Sequence, residues 1–140
     1  MTQFVVDANV AIKWVLLEIY TDSALRLLND DHTLLVPDFF FPEIGNILWK
    51  RVRRGEMTLQ EAQENLNELS LVNFQICPSF PVMPLALETA VRVQQAVYDC
   101  VYLALAVTNQ CQMVTADERF YNALQSDALA THLCWVVDVP

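Results

Sequence analysis

Short β-rich runs alternate with segments of helical periodicity along the whole chain, and that alternation leaves few folds open. Gln3-Phe4-Val5-Val6 stops at Asp7 and gives way to a helical pattern of Ala, Ile, Trp and Leu to about Leu17. A second helix is expected from Thr21, as its N-cap, to about Asn29, and a second strand from Thr33 to Val36, closed by Pro37. A long helix follows from about Asp38 to Arg54, with Pro42 in its first turn or marking a kink. Thr58-Leu-Gln-Glu61 has capping-box spacing and opens a helix to about Leu69. Phe74 to Cys77 reads as the third strand, Leu85 to Gln95 and Tyr98 to Asn109 as helices, and Gln112 to Thr115 and Leu133 to Val137 as the last two strands. Strands interleaved with helices imply an α/β fold around a mainly parallel five-stranded sheet. At 140 residues with 54% hydrophobic content, residues 1–140 make one domain with a dense core.

Composition removes several function classes. The chain has two glycines, Gly45 and Gly55, so neither a dinucleotide fingerprint nor a P-loop can be written. A net charge of -9 argues against a protein that coats nucleic acid by neutralising many phosphates. Cys77, Cys100, Cys111 and Cys134 are widely spaced in apolar runs and form no CxxC pair, which reads as four buried thiols in a reducing compartment rather than a zinc site. No basic n-region opens the chain and no run of about 18 uncharged apolar residues occurs, so the expectation is a soluble, cytoplasmic protein without a membrane segment.

Four carboxylates then stand out. In an open parallel sheet, ligands bind beyond the carboxyl ends of the strands. Asp7 directly follows the first strand and Asp117 follows the fourth, while Asp99 and Glu43 fall near the starts of helices that leave the same edge. Carboxylates gathered without compensating cations repel one another and hold protons more tightly unless a metal neutralises them, and oxygen donors suit Mg2+ or Mn2+. Each acid has a plainer alternative. Asp7 and Asp99 could cap or charge-complement helix N-termini, and Glu43 could be a solvated helix residue. Thr115 and Glu118 have capping-box spacing, which would leave Asp117 free to point elsewhere and make Glu118 structural.

The long helix carries a second pattern. At about 100° per residue, Ile44, Ile47, Leu48 and Val52 share one face while Glu43, Asn46, Lys50, Arg53 and Arg54 share the opposite one. Arg54 would lie about 16 Å from Glu43 along the axis, the span of a few nucleotides. Five of the eight positive charges are Lys13 and the cations of Lys50-Arg-Val-Arg-Arg54. This is either a phosphate-binding face or a cationic helix end that complements the dipole. Tyr98, Tyr102, Trp14 and Trp49 could stack bases or pack in the core.

With these residues in place, the chain resembles the PIN-domain family, and within it the toxin ribonucleases of VapBC toxin–antitoxin pairs. The resemblance is carried in order by Val5-Val6-Asp7-Ala-Asn-Val-Ala-Ile-Lys-Trp14, Val36-Pro-Asp38 with Pro42-Glu43-Ile-Gly-Asn46 and Leu48-Trp49-Lys50, Val97-Tyr98-Asp99 with Tyr102-Leu-Ala-Leu-Ala106, and Val114-Thr115-Ala-Asp117-Glu-Arg-Phe120. It implies a PIN-like three-layer α/β/α sandwich and an acidic pocket of Asp7, Glu43, Asp99 and Asp117. The metal ligands would be Asp7, Asp99 and Asp117 around Mg2+ or Mn2+. It also implies endoribonuclease activity leaving a 5′-phosphate and a 3′-hydroxyl, a homodimer and a cognate antitoxin. Asn9 stands where relatives often carry Ser or Thr and, with Thr115, is a supporting residue. Lys50, Arg53 and Arg54 would hold the RNA. Phe39-Phe40-Phe41-Pro42 departs from the usual aliphatic stretch just before Glu43.

Two other readings are open to the sequence. A phosphotransferase using Asp7 as nucleophile would need a second Asp two residues on, where this chain has Asn9. A PIN-like fold retained as an inactive protein-interaction module would not need its acids.

Overall fold

The structure, a computed structural model, describes residues 2–140. β1 (Thr2–Val6), β2 (His32–Pro37), β3 (Phe74–Cys77), β4 (Gln112–Thr115) and β5 (Leu133–Trp135) form one sheet in the order β3-β2-β1-β4-β5. Every neighbouring pair is parallel, so the expected mainly parallel sheet is wholly parallel. β1 and β2 read as unbroken apolar runs because the middle of a parallel sheet is covered on both faces. Phe4, Val5, Val6, Leu34, Leu35 and Val36 are all buried. The chain moves from β1 to β2 and β3 on one side, then returns past β1 to β4 and β5 on the other. The order therefore reverses between β1 and β4, and a crevice opens there at the carboxyl edge.

The helices form the outer layers. α1 (Ala8–Ala11), α2 (Thr21–Leu25), α3 (Phe40–Arg53) and α4 (Leu59–Ser70) join β1, β2 and β3. α5 (Met83–Val93), α6 (Val97–Thr108) and α7 (Glu118–Ala123) serve the return through β4 to β5. Right-handed crossovers put the first set on one face and the second on the other, giving the three layers. α6 packs on β1, β2 and β4 and against α5 on its outer side. Its segment Cys100 to Ala106 is buried without a break, and the small residues Cys100, Ala104 and Ala106 let it lie close to its neighbours. No helix among the described residues is long and apolar enough to cross a membrane. The four cysteines are free, three of them buried and Cys111 partly exposed.

Three elements differ from expectation, and at the first helix side-chain hydrogen bonds account for the difference. The first helix stops at Ala11, followed by a 3-10 turn over Ile12–Trp14, instead of reaching Leu17. There the Lys13 ammonium turns inward to Glu18 at 3.2 Å, the Glu18 amide donates to the Thr21 hydroxyl at 2.9 Å, and that hydroxyl donates to the Leu16 carbonyl at 3.3 Å. Such local bonds offer the backbone an alternative to helix. Tyr20, at φ 68°, takes the N-cap position of α2 in place of Thr21. β5 ends at Trp135, and Val136–Asp138 form a 3-10 turn whose strand-like register is lost. The capping box at Thr58 and Glu61 forms as expected, with both reciprocal bonds at 3.1 Å.

Candidate active site

β1 and β4 deliver two acids to the crevice. Val6 pairs with Val114, so Asp7 leaves the sheet beside the segment that leads to Asp117. Asp7 occupies the N-cap position of α1 but makes no side-chain cap bond, which removes the capping alternative for it. It is only 2% exposed. Burial pushes its pKa up to about 8, reinforced by the negative charges of Asp99, Glu43 and Asp117 and opposed by the Asn9 backbone N–H. All four expected acids thus share one electrostatic field. Asn9 acts on Asp7 through its backbone amide, and its side chain is exposed.

Asp99 sits in the first turn of α6, where Ala96 is the N-cap and Asp99 makes no cap bond. Its pKa is raised to about 6, first by burial and then by Asp117 and Glu43. Glu43, in the first turn of α3, is also raised by burial, while a hydrogen bond from Tyr102 holds it down. That bond is short: Tyr102 Oη donates to Glu43 Oε1 at 2.6 Å. Tyr102 is fully buried, and the Ala8 backbone N–H donates to its oxygen. One hydroxyl therefore ties α6, α3 and the start of α1 together over the carboxyl edge of the sheet. From the sequence, Tyr102 reads as either a base stacker or a core residue. The available signal was its place three residues after Asp99, one helical turn along the same face.

Asp117 is held differently from expectation. It is the N-cap of α7, with Oδ1 accepting from the Phe120 N–H at 3.2 Å, while Thr115 Oγ1 accepts from the Asp117 N–H at 3.1 Å. The expected Thr115–Glu118 capping box does not form, because the helix starts at Glu118 and Thr115 lies too far upstream to reach its third turn residue. Thr115, fully buried, instead shapes the turn that presents Asp117. Glu118 is exposed.

The Phe39-Phe40-Phe41-Pro42 run anchors Glu43. Phe40 is buried and, with Phe41, packs on Phe74 at ring separations of 4.9 and 6.1 Å, and Phe39 meets Tyr98 and Tyr102 edge-on at 5.3 and 5.7 Å. Pro42 sits in the first turn, where its missing N–H costs nothing.

The basic residues are dispersed rather than gathered at the acids. Lys13 is buried and paired with Glu18, and Arg51 pairs with Glu18 and Glu56. Lys50, Arg53 and Arg54 are exposed at the far end of α3, Arg53 lying 4.6 Å over the Trp49 ring. Trp14 is not available to a base: its indole N–H donates to the Ala24 carbonyl at 2.8 Å and its ring stacks on Phe74. Arg119, which sequence reasoning gave no role, lines a cleft of about 580 Å3 with Asp99 and Asp117. A second cleft of about 570 Å3 opens at the opposite ends of the strands, beside Thr2 and Gln110, and none of the four acids lines it.

Among the described residues no three His, Cys, Asp or Glu side chains lie close enough to cage a metal ion. The donor set still fits a hard divalent cation held partly through water. It supplies oxygen only, its charges raise one another's proton affinity, and no cation is among the groups that shift Asp7 or Asp99.

The PIN domain family model matches residues 4–123. The chain belongs to the PIN-domain family. It is 29% identical over 119 residues to Ribonuclease VapC3 of Pyrobaculum aerophilum, covering 84% of this chain and 91% of that one. The fold is similar to that of PAE2754 from Pyrobaculum aerophilum, with a TM-score of 0.70 and 21% identity over 87% of this chain and 79% of the other. It is also similar to VapBC2 from Rickettsia felis bound to a promoter DNA fragment, with a TM-score of 0.67 and 13% identity over 96% and 98% of the two chains. A toxin–antitoxin complex from Klebsiella pneumoniae matches with a TM-score of 0.60 and 12% identity over 96% of each.

Proposed function

We propose that this chain is a Mg2+- or Mn2+-dependent endoribonuclease, the toxin of a VapBC-type pair. The observation that carries the reading is the set of four acids from four elements acting on one another at the β1–β4 crevice, with Asp7 buried and no cation to compensate. The VapC3 relative and the structural similarity to toxin–antitoxin complexes support it. Asp7 and Asp99 would hold the metal, with Asp117 and Glu43 completing the pocket directly or through waters. When bound, the cation supplies positive charge that acidifies water and shields the scissile phosphate. The Tyr102 hydrogen bond aims Glu43 and opposes the upward push of burial on its pKa, and the Thr115 hydroxyl holds the turn that carries Asp117. Lys50, Arg53 and Arg54 provide a backbone track beyond Glu43, and Arg51 is committed to its ion pairs.

The protein acts in the cytoplasm as a homodimer restrained by an antitoxin. Leu17 at 94% exposed and Ile19 at 70% give the α1–α2 turn an apolar surface suited to a protein partner. The test is cleavage of total RNA by the purified chain with either metal. Activity that survives excess chelator or the Asp99→Asn change rejects the assignment. Tight antitoxin binding without metal binding by calorimetry would favour the interaction-module reading.

A further inference from the structure

The cleft that Asp99 and Asp117 share with Arg119 has features the nuclease reading leaves unused. It is lined by Gln94 and Gln95 from the α5–α6 turn, by Asp99 and Asp117, and by Arg119 of α7. Most other cations are engaged. Lys13, Arg51 and Arg92 sit in ion pairs, Arg26 donates to the Val137 and Val139 carbonyls, and Arg53 covers Trp49. Lys50 and Arg54 are also unpaired, but they lie at the far end of α3. Arg119 is therefore an unpaired cation on the cleft that holds two of the acids.

Gln94 adds an independent observation. It caps α5 with φ 56°, a left-handed conformation that favours glycine at this helix position. Among the described residues Gly55, Tyr20 and Gln110 share a positive φ with Gln94, at 75°, 68° and 54°, and of these four Gln94 alone lines this cleft. At Gln94 the chain keeps an amide side chain, exposed on the cleft beside the half-buried Gln95, and among the described residues neither side-chain amide has a protein hydrogen-bond partner. An amide both donates and accepts, which suits the edge of an unstacked base.

Resting on the nuclease reading, we propose that this cleft is the subsite for the RNA nucleotide next to the cleaved bond, Arg119 gripping its phosphate and Gln94 with Gln95 reading its base edge. A flanking rather than reacting phosphate is favoured because the cleft that Arg119 lines is bordered by Asp99 and Asp117 and not by Asp7 or Glu43. Arg119 then contributes to binding and not to the chemical step.

The experiment is steady-state cleavage of single-stranded RNA oligomers by the full chain with Mg2+ or Mn2+, across a salt series. Arg119 makes no bond that its removal would break, so Arg119→Ala folds like the parent. It should raise KM about tenfold with kcat nearly unchanged, and flatten the slope of log(kcat/KM) against log salt by about 0.7, one single-strand phosphate contact. Arg119→Lys should keep the parent slope. Gln94→Gly should melt at a higher temperature and lose base preference at one position beside the cut. An unchanged KM and salt slope in Arg119→Ala would overturn the phosphate contact, and an unchanged cleavage pattern in Gln94→Gly would overturn the base contact. A parent chain that cleaves no RNA under either metal rejects the nuclease reading itself, a failure separate from these.

Discussion

Asp7 shows how far a common side chain is moved by its setting. Its carboxyl is driven from an ordinary acid to about 8 by burial and three negative neighbours. Between pH 4 and 8 the folded chain therefore holds a proton that the unfolded chain has released, so stability must fall as pH rises through that window. The cost at pH 8 is on the order of 5 kcal/mol before relaxation and water penetration reduce it. Urea unfolding in chelator should show the parent losing stability from pH 5 to pH 8 and Asp7→Asn losing much less. Equal pH dependence in the two would mean that Asp7 is not the buried acid described here. Tyr102→Phe removes the bond that opposes the upward shift of Glu43. The expected result is an alkaline shift in the pH profile of RNA cleavage, a fall in kcat of roughly tenfold, and a stability loss of about 1–2 kcal/mol. A kcat loss without the pH shift would make Tyr102 a packing residue only.

The helices divide into those that place chemistry and those that support it. α3 depends on Phe40, buried against Phe74, to hold its first turn and thus Glu43 over the sheet edge. Phe40→Ala should cost about 3–5 kcal/mol by cavity formation, measured by denaturant unfolding, and should lower cleavage at temperatures where the chain is still folded. α4 begins with a closed capping box far from the acids. Thr58→Ala should cost about 1 kcal/mol and leave cleavage intact. Comparable loss of activity in the two variants would break the division. These elements were readable in advance because capping spacing, apolar periodicity and β-branched runs act over a few residues. The early stop of α1 was not, since it depends on Lys13 and Thr21 meeting Glu18 across a turn.

Across the molecule, the -9 charge is not spread evenly: a repelling set of acids sits at the crevice while the unpaired cations lie on α3 and α7. A metal held by Asp7 and Asp99, as proposed, would compete with protons there, so Mg2+ or Mn2+ should raise the melting temperature more at pH 8 than at pH 5. A shift equal at both pH values, or none, would separate the acids from the metal. RNA binding should be weak, with a shallow salt slope of about 0.7 per phosphate held, because few cations must hold a polyanion against a negative protein.

Strand and helix order, the α/β class and the four acids were all legible along the chain, because apolar period and position after a strand are local properties. The wholly parallel sheet and its reversal between β1 and β4 follow from pairing across the chain. The same holds for the engagement of Tyr102 with Glu43, the inward turn of Lys13 and the role of Asp117 as a cap. Each joins residues distant in sequence or depends on where a helix starts to within one residue. Local pattern could name the acids, but their altered proton affinity comes from burial and mutual repulsion, which exist only once the strands have brought them to one edge.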